Sequence, residues 1–148
     1  LKDDSFEPVT ISTIPQVRMT RRLCGEYTLK ESENDKQFED SIGMVGDWRK
    51  RGMVYEIPFR CLYSGKIRNL IGAGRCVSVD DGMWDIIRAI PGCAVTGEAA
   101  GIAAAQTCDF SQLDRRALQD TLRKHGQKIH FAEAGLASDT FPINTRRE

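Results

Sequence analysis

The chain has 148 residues, room for one domain with a real core. Its 21 basic and 21 acidic residues cancel, so it carries no electrostatic footprint for nucleic acid or an anionic membrane. No apolar run approaches the roughly 20 residues of a spanning helix, and the five cysteines form no CxxC pair, which points to reduced thiols in a cytoplasm over disulfides or a zinc site.

In chain order, residues 1–9 are polar and read as a loose start. From Val9 the pattern turns β, with Val9, Ile11, Val17 and Met19 alternating with polar residues and Tyr27 to Leu29 staying extended. Arg18, Arg21 and Arg22 lie within this stretch, and on a strand Arg18 and Arg22 share a face. A guanidinium fork captures carboxylate or phosphate, while the plainer alternative is a salt-bridged strand face. Glu31 to Asp40 is charged and aperiodic, a loop or a short exposed helix. Gly43, Gly46 and Gly52 mark a second flexible loop, with Trp48 anchoring its Asp47–Arg51 turn. Met53 to Tyr63 reads as a strand that Pro58 confines to an edge or bends.

The next stretch is the most informative. Ile67 to Ile71 is a short strand that ends in Gly72, Ala73, Gly74 and Arg75, followed by an Asp80–Gly82 turn and a helical turn through Trp84 and Ile87. Pro91 closes that turn, and a small-residue helix runs from about Ala94 to Thr107. Glycines let a backbone approach a ligand, and a helix start offers free N–H groups and the positive end of a dipole. Cys93, Gly97, Gly101 and Ala105 fall at intervals of four, a smooth face for close contact with a strand or a ligand. Each of its two glycines costs about 1 kcal/mol against alanine in a helix. Further on, Ser111 with Asp114 forms a capping box before an amphipathic helix through Leu118 and Leu122, and Gly126 stops it. His125 and His130 lack ligand spacing and read as structural, so no metal site is expected. The tail from Ala132 has no period.

Several motifs in one order carry a resemblance. Arg18, Arg21 and Arg22 with Gly25 to Leu29, then Asp40 to Ile42, Ile57 to Leu62, NLIGAGR (Asn69–Arg75), Arg88 with Pro91, and GEAAGIAAA (Gly97–Ala105) follow one another. This series resembles the C-terminal part of the bacterial FAD-dependent oxidoreductases of the glutathione-reductase superfamily, over roughly residues 18–122. The resemblance implies FAD as cofactor, with Gly72, Ala73, Gly74, Arg75, Gly92, Thr96 and Gly97 around it. Thr96 and the amides of 92–97 would face the ring's O2 and N1. Arg75 lies near the ribityl or pyrophosphate region, or else forms a buried ion pair. Arg88 and Asp81 are the implied catalytic residues, and Arg18, Arg22 and Arg60 the substrate-binding ones. Many relatives place a histidine where Asp81 stands, so proton transfer near neutral pH is altered or carried elsewhere. The family's opening GxGxxG turn has no counterpart here. The expected fold is therefore α+β, an incomplete flavoprotein fold: residues 1–62 a β-rich part of a substrate-side domain, 63–108 the flavin-proximal strand, loop and helix, and 109–148 a terminal helix and tail.

Two readings of function follow. In the first, the chain is a C-terminal fragment of an oxidoreductase that passes hydride between an organic, anionic substrate and flavin, inactive alone and completed by the N-terminal half of its parent. In the second, it is a non-enzymatic binding or assembly piece whose unpaired surfaces meet another copy or a partner chain.

Overall fold

The structure is a computed structural model and describes residues 13–14 and 18–136. The strand expected around Val9, Ile11 and Val17 lies outside these residues. Within them the chain is mixed α and β, with two small antiparallel sheets and three α-helices. Strands β1 (Ser41–Gly46) and β2 (Val54–Pro58) form one hairpin, and β3 (Tyr63–Ser64) and β4 (Ile67–Ile71) form the other. Helices α1 (Asp81–Ile87), α2 (Ile90–Gln106) and α3 (Arg115–Lys124) follow.

The core sits between the first hairpin and the helices. Ile42 and Tyr55 of the hairpin, Met83 and Ile86 of α1, and Leu118 and Leu122 of α3 are all fully buried. Burying each such side chain contributes about 1.5–3 kcal/mol. Helix α2 reaches this core with small residues, turning Thr96, Ala99 and Ala103 inward and letting the hairpin come close. Gly43 shows how close: a Cβ there would stand 2.5 Å from the Val95 Cγ1, and its φ of +150° already disfavours a side chain.

Several expected elements shift for local reasons. The glycine-marked loop at 43–46 lies in strand β1, where Gly43 serves the helix contact and sits at an irregularity of the ladder between Ser41 and Met44. The expected strand over 53–63 stops at Pro58, which has no N–H to give, and a 3-10 turn over Phe59–Cys61 separates it from β3. Residues 18–28 form no ladder; Leu23, Glu26 and Tyr27 donate single backbone hydrogen bonds to Cys76, Tyr63 and Arg60, and Leu29 makes an isolated parallel bridge to Val79. Arg18 and Arg22 therefore do not share a strand face.

Helix starts differ too. Asp80 caps α1 by accepting from the Met83 N–H, so its turn-forming composition serves as an N-cap. Pro91 lies in the first turn of α2, where its missing N–H costs nothing, and the helix begins earlier than Ala94. The cap of α3 is Asp114, which accepts from the Arg116 and Ala117 amides, while Ser111 belongs to a 3-10 turn capped by Asp109. Gly126, at φ +89°, stops α3 as expected. Phe131–Ala134 forms a 3-10 turn where no period was visible.

Candidate functional site

Strand β4 delivers the chain to Gly72, whose N–H donates to the Leu62 carbonyl at 2.7 Å. The backbone then turns through Ala73 into a 3-10 turn over Gly74–Cys76, with Gly74 at φ +63°, a left-handed conformation that suits glycine. The Gly74 N–H donates to the Thr96 Oγ1 at 2.8 Å, and that hydroxyl donates back to the Gly92 carbonyl at 2.7 Å. Thr96 is fully buried, so its hydroxyl locks the glycine turn to the first turns of α2 and is occupied within the chain. Gly92 is needed by packing, because a Cβ there would stand 2.5 Å from the Ile87 carbonyl oxygen. No side chain caps α2, so its start keeps free donors and the positive end of the dipole beside the turn.

A cavity of about 400 Å³ opens against this turn, lined by Leu70, Ile71, Gly72, Ala73 and Cys76 with Arg21, Arg22 and Leu23 across from them. Its wall is apolar apart from the arginines. The Arg22 Nη2 pairs with the Asp81 carboxylate at 2.7 Å, and its guanidinium carbon lies 4.4 Å from the Trp84 ring centroid. The Arg22 Nη1 is closed to solvent and has no hydrogen-bond partner among the described residues, and an unmet donor on a charged group is costly.

The remaining candidates are distributed unevenly. Arg75 is exposed, and its carbonyl accepts from the Trp84 Nε1 at 2.8 Å. Arg88 caps the end of α1 and is held by Asp85 at 2.6 Å. Asp81 is 90% exposed and already paired to Arg22. Arg18 is exposed as well. Arg60 belongs to a different place: its fork grips the buried Asp40 at 3.0 and 3.1 Å, and that pairing raises its pKa above the ordinary arginine value. It lines a separate cleft of about 940 Å³ with Lys36, Arg115 and Arg116. The structure thus gathers Arg22, Gly72, Ala73, Gly74 and Thr96 and leaves Arg60 apart.

Gly97 and Gly101 face outward, and a Cβ on either would meet nothing within 4 Å. Beyond Cys93, the smooth face of α2 is exposed at Gly97, Gly101 and Ala105. Cys93 sits at its inner end, its sulfur 3.3 Å from where a Gly74 Cβ would stand. Sequence reasoning gave Trp84 no part in the site, and its spacing of three from Asp81 on one helix face was the available signal.

Among the described residues no group of three or more His, Cys, Asp or Glu side chains could hold a metal ion. No single helix among them is long and apolar enough to cross a membrane; α1 and α2 together pass a length and composition test but meet at 87°.

A glycine turn pinned by Thr96 lies against an α2 start that no side chain caps, and Gly72 and Ala73 of that turn line the apolar cavity together with Arg22. No match was found among curated proteins or solved structures. The profile of the family described as FAD dependent oxidoreductase matches residues 1–122. With most of its length matched, and with the glycine turn and the start of α2 inside the matched region, the chain belongs to the FAD dependent oxidoreductase family.

Proposed function

We propose that this chain forms the flavin-proximal, C-terminal part of an oxidoreductase that passes hydride between an anionic organic substrate and FAD. When bound, FAD would supply the two-electron acceptor that no side chain here provides. The start of α2, which no side chain caps, offers backbone donors to it, and the Thr96 hydroxyl holds the Gly72–Arg75 turn against that start. Arg22 lines the cavity beside that turn and offers its positive charge to a carboxylate. Arg88 and Asp81 flank the same helix, α1, and remain the candidates for substrate contact and proton transfer. Arg18 and Arg60 are weaker candidates for binding substrate, Arg60 because Asp40 already occupies its fork.

The single observation behind this reading is the family match over residues 1–122, which takes in the pinned glycine turn and the start of α2. It is tested by titrating the chain with FAD and following cofactor fluorescence, with Arg75→Ala and Arg22→Ala as comparisons. Saturable quenching that weakens about tenfold in Arg22→Ala supports the reading, on the scale of a lost charge-assisted hydrogen bond. Quenching absent at high micromolar FAD overturns the reading for the isolated chain and leaves the N-terminal half of a longer parent as the required partner.

The second reading, an assembly piece, is favoured by the surface of β4. Its residues 67–70 are exposed, Ile67 and Leu70 are 51% and 44% accessible, and Ile90 at the start of α2 is 86% accessible. An exposed strand with apolar side chains invites pairing with another copy or chain. A mass that rises with concentration supports it. A reducing, cytoplasmic setting belongs to either reading and is supported by five free cysteines.

A further inference from the structure

The cleft of about 940 Å³ that Arg60 lines shares no residue with the cavity beside the glycine turn. Lys36 and Arg60 border it from the two stretches that flank the first hairpin, and Arg115 and Arg116 border it from the first turn of α3. Gln119 lies four and three residues further along the same helix face. Its Nε2 donates to the Glu39 and Ser41 carbonyls at 2.8 and 2.9 Å, which fixes that face of α3 against the hairpin. Four cationic side chains therefore share one space.

Two of the four are matched by carboxylates and two are not. Asp40 takes the Nε and Nη2 of Arg60, and Glu33 takes the Lys36 Nζ at 2.6 Å. Arg115 donates its Nη2 to the Tyr63 hydroxyl at 3.0 Å, a neutral acceptor that holds the fork in place and leaves its charge unmet. Arg116 is exposed, and its side chain has no ion pair or hydrogen bond among the described residues. Donors also remain accessible on the matched side: Arg60 keeps 39% of its side-chain surface, and its Nη1 makes no bond among the described residues. Glu39, also on the lining, has no ion pair among the described residues, so the wall as a whole stays positive.

We propose that this cleft is a binding site for a small organic molecule that carries a phosphate group. A phosphate monoester brings nearly two negative charges and three acceptor oxygens. Arg115, Arg116 and the remaining Arg60 nitrogen can meet them without breaking an ion pair already made in the fold. A single carboxylate brings one charge, less than the two unmatched arginines can take. The space beyond the phosphate receives the organic body, since the cleft has the volume of a small-molecule site. Nothing in this arrangement depends on the flavin reading.

The test is isothermal titration of the full chain with phenyl phosphate at constant ionic strength, with inorganic phosphate and the dicarboxylate succinate as comparisons. Phenyl phosphate gives saturable heat and binds more tightly than either. Arg115→Gln and Arg116→Gln each weaken it about fivefold, the scale of one exposed charge pair. Arg51→Gln removes an exposed cation outside the cleft and leaves the affinity unchanged. Arg60 is kept intact, because its loss would strand the buried Asp40 carboxylate. If Arg115→Gln fails to fold, Arg116→Gln decides the matter, since the Arg116 side chain holds no bond of the fold. Absence of saturable heat overturns the proposal. So does succinate or inorganic phosphate binding as tightly as phenyl phosphate, or Arg51→Gln weakening binding as much as the cleft variants do.

Discussion

The first hairpin and the glycine turn treat their polar groups in opposite ways. Around β2, the fully buried Glu56 carboxylate accepts from the Phe38 and Phe131 N–H groups at 2.8 and 3.1 Å and pairs with His130 Nδ1 at 3.1 Å. It ties the hairpin to two distant stretches of chain and is satisfied internally. Around Gly74, most of strand β4 is exposed, α2 begins without a side-chain cap, and the Arg22 Nη1 has no partner among the described residues. A fold that completes its polar contacts in one half and leaves donors open in the other marks the second half as the place where something else completes them.

The largest effect should come from breaking the satisfied half. Glu56→Leu strands two buried N–H groups and the His130 ring, and should lower stability by about 3 kcal/mol in a urea titration, with the midpoint falling and the slope unchanged. A loss under 1 kcal/mol would mean that the hairpin is not what the carboxylate holds. Next comes Gly43→Ala, whose new Cβ meets Val95 in a backbone conformation that alanine disfavours; about 2 kcal/mol should be lost from thermal stability. A neutral result would show that α2 can back away from β1.

A smaller effect separates the hairpin turn from both halves. Burial pushes the Asp47 carboxyl up, but hydrogen bonds from the Arg49 side chain and backbone outweigh it and hold its pKa below the ordinary 3.8. The stability this gives is complete above the unfolded pKa and is lost as the pH falls through the lower folded value. Asp47→Asn should therefore remove about 1 kcal/mol near neutral pH and flatten the acid limb of the stability curve below about pH 4. An unchanged acid limb would place the acid sensitivity elsewhere.

The mildest probe reads the contrast through thiols. Burial raises the Cys61 pKa to about 12, whereas Cys24, Cys76 and Cys108 are exposed. Iodoacetamide on the native chain should modify the three exposed thiols readily and Cys61 only on unfolding, as mass spectrometry of the digested product would show. Native-state labelling of Cys61 would mean that the well-packed half opens locally.

The candidate site was legible wherever backbone chemistry carried it. Asn69–Arg75 could be recognised as a strand running into a glycine turn because left-handed backbone at Gly74 has few other solutions. Arg22 stood out by its place among Arg18 and Arg21, but its sequence could not say which arginine would face Trp84, which Asp40 would occupy, and which donor would be left over. Thr96 shows the same limit: its hydroxyl looked available for a ligand until the fold set Gly74 and Gly92 within its reach.

From the sequence alone came the α+β character, the amphipathic α3 with its glycine stop, the small-residue α2 and the family motifs in order, because periodicity, capping chemistry and turn dihedrals act within a few residues. Only the tertiary structure decided that Gly43 belongs to a strand, that Glu56 and His130 are partners across 74 positions, that Gly97 and Gly101 on α2 face outward, and that Arg22 pairs with Asp81 over the Trp84 ring. Those outcomes depend on which distant groups compete for the same donor, and such competition is settled only when the chain has closed on itself.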